Sequence, residues 1–180
     1  SMNLARGMEV LRAFTPADPM LGNRELSDRT GLPKPTVSRL TYTLTLLGYL
    51  SRDTALQKYR LGPGVLSLGH PLLASMQVRQ AARPLMVELA RSTGCTVNLG
   101  MRDRDNVVYV ETVRVDSANV HHPDIGSTRP LLAAAMGRAL IEVQAQRPGG
   151  QRRGVVVRHQ QGRFAPREGA AGVLVARVEV

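Results

Sequence analysis

The chain has 180 residues, 43% of them apolar, enough to bury a core without cross-links. Its single cysteine, Cys95, excludes an internal disulfide and any Cys-based zinc module, and a reducing, cytoplasmic setting is expected. Four Tyr, two Phe and no Trp argue against an aromatic platform for single-stranded nucleic acid. No apolar run approaches the roughly 18 residues of a membrane span, and Ser1-Met2-Asn3 does not read as a signal peptide.

The net charge of +10 is unevenly placed. Residues 1–80 carry 10 basic and 5 acidic side chains, residues 81–146 carry 7 and 7, and residues 147–180 carry 7 and 2. A basic front, a neutral middle and a basic tail follow. Leu4, Met8 and Leu11, with Val10 and Phe14 beside them, predict an amphipathic helix over about residues 4–14 that Pro16 and Pro19 stop. A short second helix is expected from Asn23 to Thr30, with Gly22 at the N-cap and Leu26 as its inward anchor. Glu25 reaches back to that cap, and Gly31 makes a left-handed exit.

Pro33-Lys34-Pro35 opens a third helix, with Pro35 expected at its first position. Val37, Leu40, Leu44 and Leu47 are expected to face inward. The opposite face carries Thr36, Ser38, Arg39, Tyr42 and Thr43, and no acid occurs between Pro33 and Leu50. Short donors and acceptors without phosphate-repelling carboxylates are what a helix needs to read base edges. Gly48 ends the helix. Residues 49–52 and 58–61 then predict a hairpin, Tyr59 and Leu61 turned inward, Lys58 and Arg60 outward.

Helix-turn-helix followed by a basic hairpin resembles the winged DNA-binding domain of the IclR family of bacterial transcription regulators. The likeness rests on residues 4–11, Glu25-Leu26-Ser27, Thr30-Gly31-Leu32-Pro33-Lys34, Thr36-Val37-Ser38-Arg39-Leu40, Leu47-Gly48-Tyr49-Leu50 and residues 59–69. Asn23 stands where the family usually has an apolar residue, and Ser27 where it usually has Ala. On this reading Thr36, Ser38, Arg39 and Thr43 contact bases, and Lys34, Tyr42, Arg52, Lys58 and Arg60 contact phosphate.

Residues 64–93 read as helical, divided by Pro71 and Pro84. The resemblance implies a linker helix here that helps subunits pair. Strands are expected over 95–101 and 107–115 around a charged turn, with Val120 in a possible third strand. Gly126 to Pro130 reads as a loop and residues 131–144 as an Ala-rich helix. Thr96-Val97-Asn98-Leu99, Val107-Val108-Tyr109-Val110 and Gly137-Arg138-Ala139-Leu140 resemble the start of the family's GAF-like α/β effector domain. Leu132 replaces a His common there, so the resemblance implies no His–ligand contact at that place.

No catalytic constellation emerges, and no metal or cofactor is expected. Cys95 reads as a buried structural thiol, and His121-His122-Asp124 as a solvated loop, since neighbours in an extended segment point to opposite faces. No phosphate loop, dinucleotide fingerprint or hydrolase elbow is present. After about residue 146 the pattern breaks: residues 1–146 hold 22 leucines and residues 147–180 hold one, Leu174. A frameshift or truncation and a natural divergent end account for this equally well.

The expected architecture is α+β: a winged helix-turn-helix over 1–70, a helical connector over 71–93, and a GAF-like effector domain over 94–180. That domain is expected to be truncated or altered, with a sheet short of strands and an open pocket. The expected function is a ligand-responsive, sequence-specific DNA-binding regulator. Its partners would be a double-stranded operator, a small organic acid and a second copy of the chain, as a homodimer or dimer of dimers. Alternatives are an enzyme or metabolite-binding module with a structural winged helix, and a non-specific nucleic-acid binder. The operator, the effector and the sign of regulation are not legible.

Overall fold

The structure is a computed structural model that describes residues 2–114, 124–134, 136–138, 140–141, 155–160 and 173–174. The chain divides into two compact units, Ser1–Ala74 and Ser75–Val180.

The first unit contains α1 (Met2–Arg12), α2 (Asn23–Thr30), α3 (Lys34–Leu46), the hairpin β1 (Leu50–Asp53) and β2 (Lys58–Leu61), and α4 (Pro63–Ala74). Its core is one cluster of Val10, Phe14, Leu21, Leu26, Val37, Leu50 and Tyr59. The second helix keeps its expected bounds, with Leu26 buried and Gly31 left-handed at φ 69°. Elsewhere the inward faces agree in part: Val10, Phe14, Val37 and Tyr59 lie in the core with Leu11, Leu40 and Leu44 packed on it, as expected, but other positions differ. In α1 the buried residues are Gly7 and Val10, with Phe14 just beyond, while Leu4 and Met8 are exposed. Gly7 lies beside Leu40 of α3, so its missing side chain lets the two helices approach there.

In α3, Thr41 takes the inward place and Leu47 is exposed. Thr41 sits one turn from Val37, whereas Leu47 lies past the helix end, where Gly48 turns the chain at φ 78°. Pro33 is the N-cap and Lys34 the first helical residue, so Pro35 occupies the second position. Leu61, expected inward, is also exposed. Tyr59 is held in the core by a two-way backbone pairing with Leu21, but Leu61 lies beyond it, where the hairpin leaves the core. There Gly62 N donates to Tyr49 O at 2.8 Å and Gly64 N to Gly48 O at 3.1 Å. A Cβ on Gly62 or Gly64 would collide with the Gly48 carbonyl. The start of α4 is thereby fixed to the end of the third helix.

The second unit opens with α5 (Gln77–Thr93). Pro71 and Pro84 do not divide the connector as expected; they lie inside α4 and α5, and the break falls at residues 75–76. A helix can carry a proline at the cost of one hydrogen bond and a bend. Five antiparallel strands follow: β3 (Thr96–Asp103), β4 (Asn106–Val113), β5 (Thr128–Pro130), β6 (Val155–Gln160) and β7 (Val173–Leu174), in the order β5-β4-β3-β6-β7. The expected loop at 126–130 thus contains a short strand, pairing Thr128–Pro130 with Asn106–Val108. The expected helix from residue 131 begins later. Residues 131–134 form a turn, because Gly137 packs on the Leu131 carbonyl where no Cβ would fit, and helix follows at 136–138 and 140–141. Val120, His121 and His122 lie outside the described residues, as do residues 142–144.

The expectation of a sheet short of strands is corrected. β6 pairs with β3 along six residues, from Thr96↔Gln160 to Met101↔Val155, and β7 pairs with β6. Backbone pairing needs no leucine, and the valine-rich segments of the tail suffice for it.

The sheet has two dissimilar faces. Leu99 lies opposite Glu111, and Glu111 meets α5. Asn98 lies opposite Thr112 on the other face, where Gly100, Val107, Tyr109 and Met136 pack together. Glu111 is only 2% exposed, and its Oε2 lies 3.0 Å from Arg79 Nη2 and 2.9 Å from Arg83 Nη1. These arginines stand one turn apart on α5, so one carboxylate ties the helix to the sheet. Replacing Glu111 by Ala should cost about 3 kcal/mol, the low end for breaking a buried ion pair, because Arg83 remains half in water. Chemical denaturation of wild type and variant at equal m-value checks this; a loss below about 1 kcal/mol contradicts it.

Candidate nucleic-acid interface

The third helix presents one continuous outward face. Pro35, Ser38, Arg39, Tyr42, Thr43 and Leu46 are exposed, at spacings of three and four, opposite the buried Val37 and Thr41. Thr36 is half-buried at the edge of this face. Arg39 is exposed and forms no ion pair among the described residues. The hydroxyls are not equivalent. Thr43 Oγ1 donates to Arg39 O at 3.1 Å, so it offers a partner only its lone pairs. Ser38 Oγ accepts from Asn23 Nδ2 at 3.1 Å.

The hairpin supplies three of the expected phosphate-contacting cations, Arg52, Lys58 and Arg60, and α3 supplies Lys34, but they stand in different states. Arg60 is exposed on β2 and forms no ion pair among the described residues. Arg52 is exposed on β1. Its guanidinium bonds Gln57 Oε1 and stands 5.9 Å from the Tyr59 ring centroid, which holds it over the wing. Lys34, at the exposed start of α3, is likewise without an ion pair among the described residues. Lys58 differs from the expectation of an outward, free cation. Its Nζ lies 3.0 Å from Glu25 Oε1, and the residue is half-buried. The wing loop is closed by Asp53 Oδ1, which accepts from the amides of Ala55 and Leu56.

Glu25 has a double role that spacing alone shows only in part. Its Oε2 accepts from Gly22 N at 2.7 Å, completing the expected reach to the cap, while Oε1 takes Lys58. One carboxylate therefore ties the start of α2 to the wing strand 33 residues later. The Gly22 amide first, and then Lys58, hold its pKa below the ordinary carboxylate value.

Two polar features were not foreseen. Asn23 bridges α2 to the third helix, through Ser38 and through Thr41 Oγ1 at 3.4 Å. Asn98 is fully buried; its Oδ1 accepts from Thr112 Oγ1 at 3.1 Å, and its Nδ2 has no partner among the described residues. A buried, unpaired amide donor costs free energy unless an acceptor reaches it. The alternation Thr96-Val97-Asn98-Leu99-Gly100 marks this polar face in the sequence, but not its burial. Cys95 is buried, its Sγ directed at Thr93 O at 3.3 Å, as expected of a structural thiol. Among the described residues no cluster of metal-ligating side chains occurs, and no helix is long and apolar enough to cross a membrane.

Two family models cover most of this architecture. The IclR helix-turn-helix domain matches residues 3–54, and the C-terminal domain of the bacterial transcriptional regulator IclR matches residues 70–148. The chain belongs to the IclR family. Among curated relatives, the HTH-type transcriptional regulator TsaQ1/TsaQ2 of Comamonas testosteroni is 42% identical over 141 residues, covering 77% of this chain and 50% of the relative. The regulator XynR of Escherichia coli is 34% identical over 139 residues, covering 77% and 55%. The chain thus spans about half the length of these IclR relatives. An IclR-family regulator from Brucella abortus superposes with a TM-score of 0.70 at 45% identity, covering 78% of this chain and 53% of that one. An IclR homologue from Microbacterium hydrocarbonoxydans, solved with 4-hydroxybenzoate, gives a TM-score of 0.63 at 25% identity, covering 80% and 62%. The C-terminal family model ends at residue 148, close to where the leucine content collapses.

The Glu25 tie makes an acid-range prediction. A carboxylate whose folded pKa is lowered stabilises fully above its unfolded value, near 4.3, and that contribution is lost as pH falls through the lower folded value. Wild type should therefore lose more stability than Glu25→Gln as pH drops from about 5 toward 3. Thermal melts of both across that range test it, and parallel curves would refute it.

Proposed function

We propose that this chain is a DNA-binding transcriptional regulator that reads an operator with α3 and responds to a small organic acid through its second unit. The observation that carries the first half is the acid-free outward face of the third helix, with Arg39 exposed between Ser38 and Thr43. A guanidinium without an ion-pair partner among the described residues is available to grip guanine O6 and N7, the commonest specific contact in the major groove. Lys34, Arg52 and Arg60 surround this face as phosphate contacts, and Tyr42 adds a hydroxyl. Lys58 is reassigned from phosphate contact to wing support, because Glu25 neutralises it.

A single helix of this length reads only a few base pairs, so two copies on a symmetric site are needed for useful specificity. α4 supports such pairing: none of its residues is buried, and Leu66, Leu68 and Leu72 are exposed.

A selected operator should separate the roles of the cations. Arg39→Ala should lose about 1–3 kcal/mol on operator and far less on random duplex. Arg60→Ala should weaken both similarly and reduce the salt slope by about one unit. Anisotropy titrations at several salt concentrations measure both and give the stoichiometry, expected as two chains per site. Equal losses on both DNAs for Arg39→Ala, or one chain per site, would refute the reading.

For the second half, the Nδ2 of Asn98, unpaired among the described residues, supports an effector with an acceptor oxygen, such as a carboxylate or carbonyl. That an IclR homologue was solved with 4-hydroxybenzoate favours the same chemical class. A ligand bound only by the folded state raises the melting temperature with concentration. Thermal melts against 4-hydroxybenzoate and a panel of small organic acids should show such a rise, smaller in Asn98→Leu. A flat response in wild type to the whole panel would refute the effector assignment.

A further inference from the structure

Asn23 stands at the first residue of α2, outside the outward face of the third helix, yet it touches that helix twice. Its Nδ2 donates to Ser38 Oγ at 3.1 Å, and its Oδ1 faces Thr41 Oγ1 at 3.4 Å. Thr41 is fully buried, and its hydroxyl also faces Ser38 O at 3.1 Å. A hydroxyl directed at an acceptor from a buried position orients the amide: oxygen toward Thr41, nitrogen toward Ser38.

We propose that Asn23 is a positioning residue that makes Ser38 a hydrogen-bond donor toward DNA. The inference rests on α3 being the DNA-reading helix. The hydroxyls of that helix show why an external residue matters. A Ser or Thr inside a helix commonly gives its proton back to a carbonyl one turn earlier. Thr43 does so to Arg39 O and Thr45 to Thr41 O, at 3.1 and 2.7 Å. Thr41 shares its one proton between Ser38 O and Asn23 Oδ1. Ser38 instead receives a hydrogen bond from outside the helix. One of its lone pairs is occupied by the Asn23 amide and its own proton remains to be given. The same bond selects one of the three staggered positions of a small, exposed side chain.

The consequence is a chemical preference. A donor suits purine N7, guanine O6 or thymine O4, whereas a hydroxyl whose proton is already used suits the amino groups of adenine and cytosine. Ser38 belongs to the first kind and Thr43 to the second. An apolar side chain at position 23, the residue type that the family resemblance leads one to expect there, could not set this. Asn23→Asp is the informative change: it keeps the size and the face toward Thr41, but presents Ser38 with an acceptor, drawing the serine proton away from DNA.

The test is in vitro selection from a randomised duplex pool with the full chain, for wild type, Ser38→Ala, Asn23→Asp and Asn23→Leu, with thermal melts of each. Ser38→Ala should erase a preference of about fivefold at one base-pair position per half-site, the ratio that one neutral hydrogen bond sustains. Both Asn23 variants should erase it at that same position and leave the preference set by Arg39 in place. A uniform affinity loss from the added charge of Asp would not move a single position. Retention of the preference in Asn23→Asp, or loss spread evenly over all positions, overturns the inference. So does Ser38→Ala changing no position, or both Asn23 variants losing the cooperative melt, which would make Asn23 a folding residue. Wild type selecting no motif at all overturns the DNA-reading function itself.

Discussion

A 13-residue helix can give only one side to a core, and in α3 that side is Val37 and Thr41, with Leu40 and Leu44 packed against the same cluster. Everything useful about the first unit depends on this choice. Once those residues are buried among Val10, Leu26 and Leu50, Ser38, Arg39, Tyr42 and Thr43 have nowhere to point but outward. Thr41 is the exception that makes the arrangement informative. A hydroxyl in a hydrophobic cluster is costly unless bonded, and its partners are the Ser38 carbonyl and Asn23. The core residue and the outward serine are therefore set by the same small network.

The second constraint is placement of the wing. A two-stranded hairpin of four-residue strands is not stable alone. Here it is held from three directions: Tyr59 in the core, a backbone bridge to Leu21, and the Lys58–Glu25 pair. Glu25 caps α2 while holding Lys58, so the helix-turn-helix and the wing share a residue. The Gly48, Gly62 and Gly64 contacts then fix where α4 begins. The surface proposed to meet DNA is thus set by buried and half-buried contacts behind it, and the exposed cations Lys34, Arg39 and Arg60 are free of ion pairs among the described residues.

The second unit follows a different logic. Glu111 uses its charge to attach α5 to one sheet face, where both arginines reach it. The opposite face combines an apolar cluster around Met136 with a buried amide that has a donor to spare. That asymmetry suits the proposed effector response: one face is committed to structure and the other can gain an interaction. The tail after residue 148, beyond the match of the C-terminal family model, still supplies β6 beside the central strand β3.

Much of the first unit was legible in the sequence. The bounds of α2, its Gly22 cap, the left-handed Gly31 and the acid-free face of α3 depend on residues within one or two turns of each other, and local spacing carries that information. The choice between neighbouring faces was not legible. Leu4, Met8 and Leu47 have the right character for a core but are exposed, while Gly7 and Thr41 turn inward, because helix approach and hydrogen-bond closure decide which side is buried. Pairings across long sequence separations were equally hidden: Lys58 with Glu25, Asn23 with Ser38, and Glu111 with Arg79 and Arg83. The tail shows the same limit, since composition counts leucines while strand pairing is a backbone property. The sequence by itself determined the helices and hairpin of the DNA-binding-like first unit, the family and the outward chemistry of α3. Only the tertiary structure decided which charges are free to act and which are already neutralised, because a side chain's availability depends on partners that the chain brings close only when it folds.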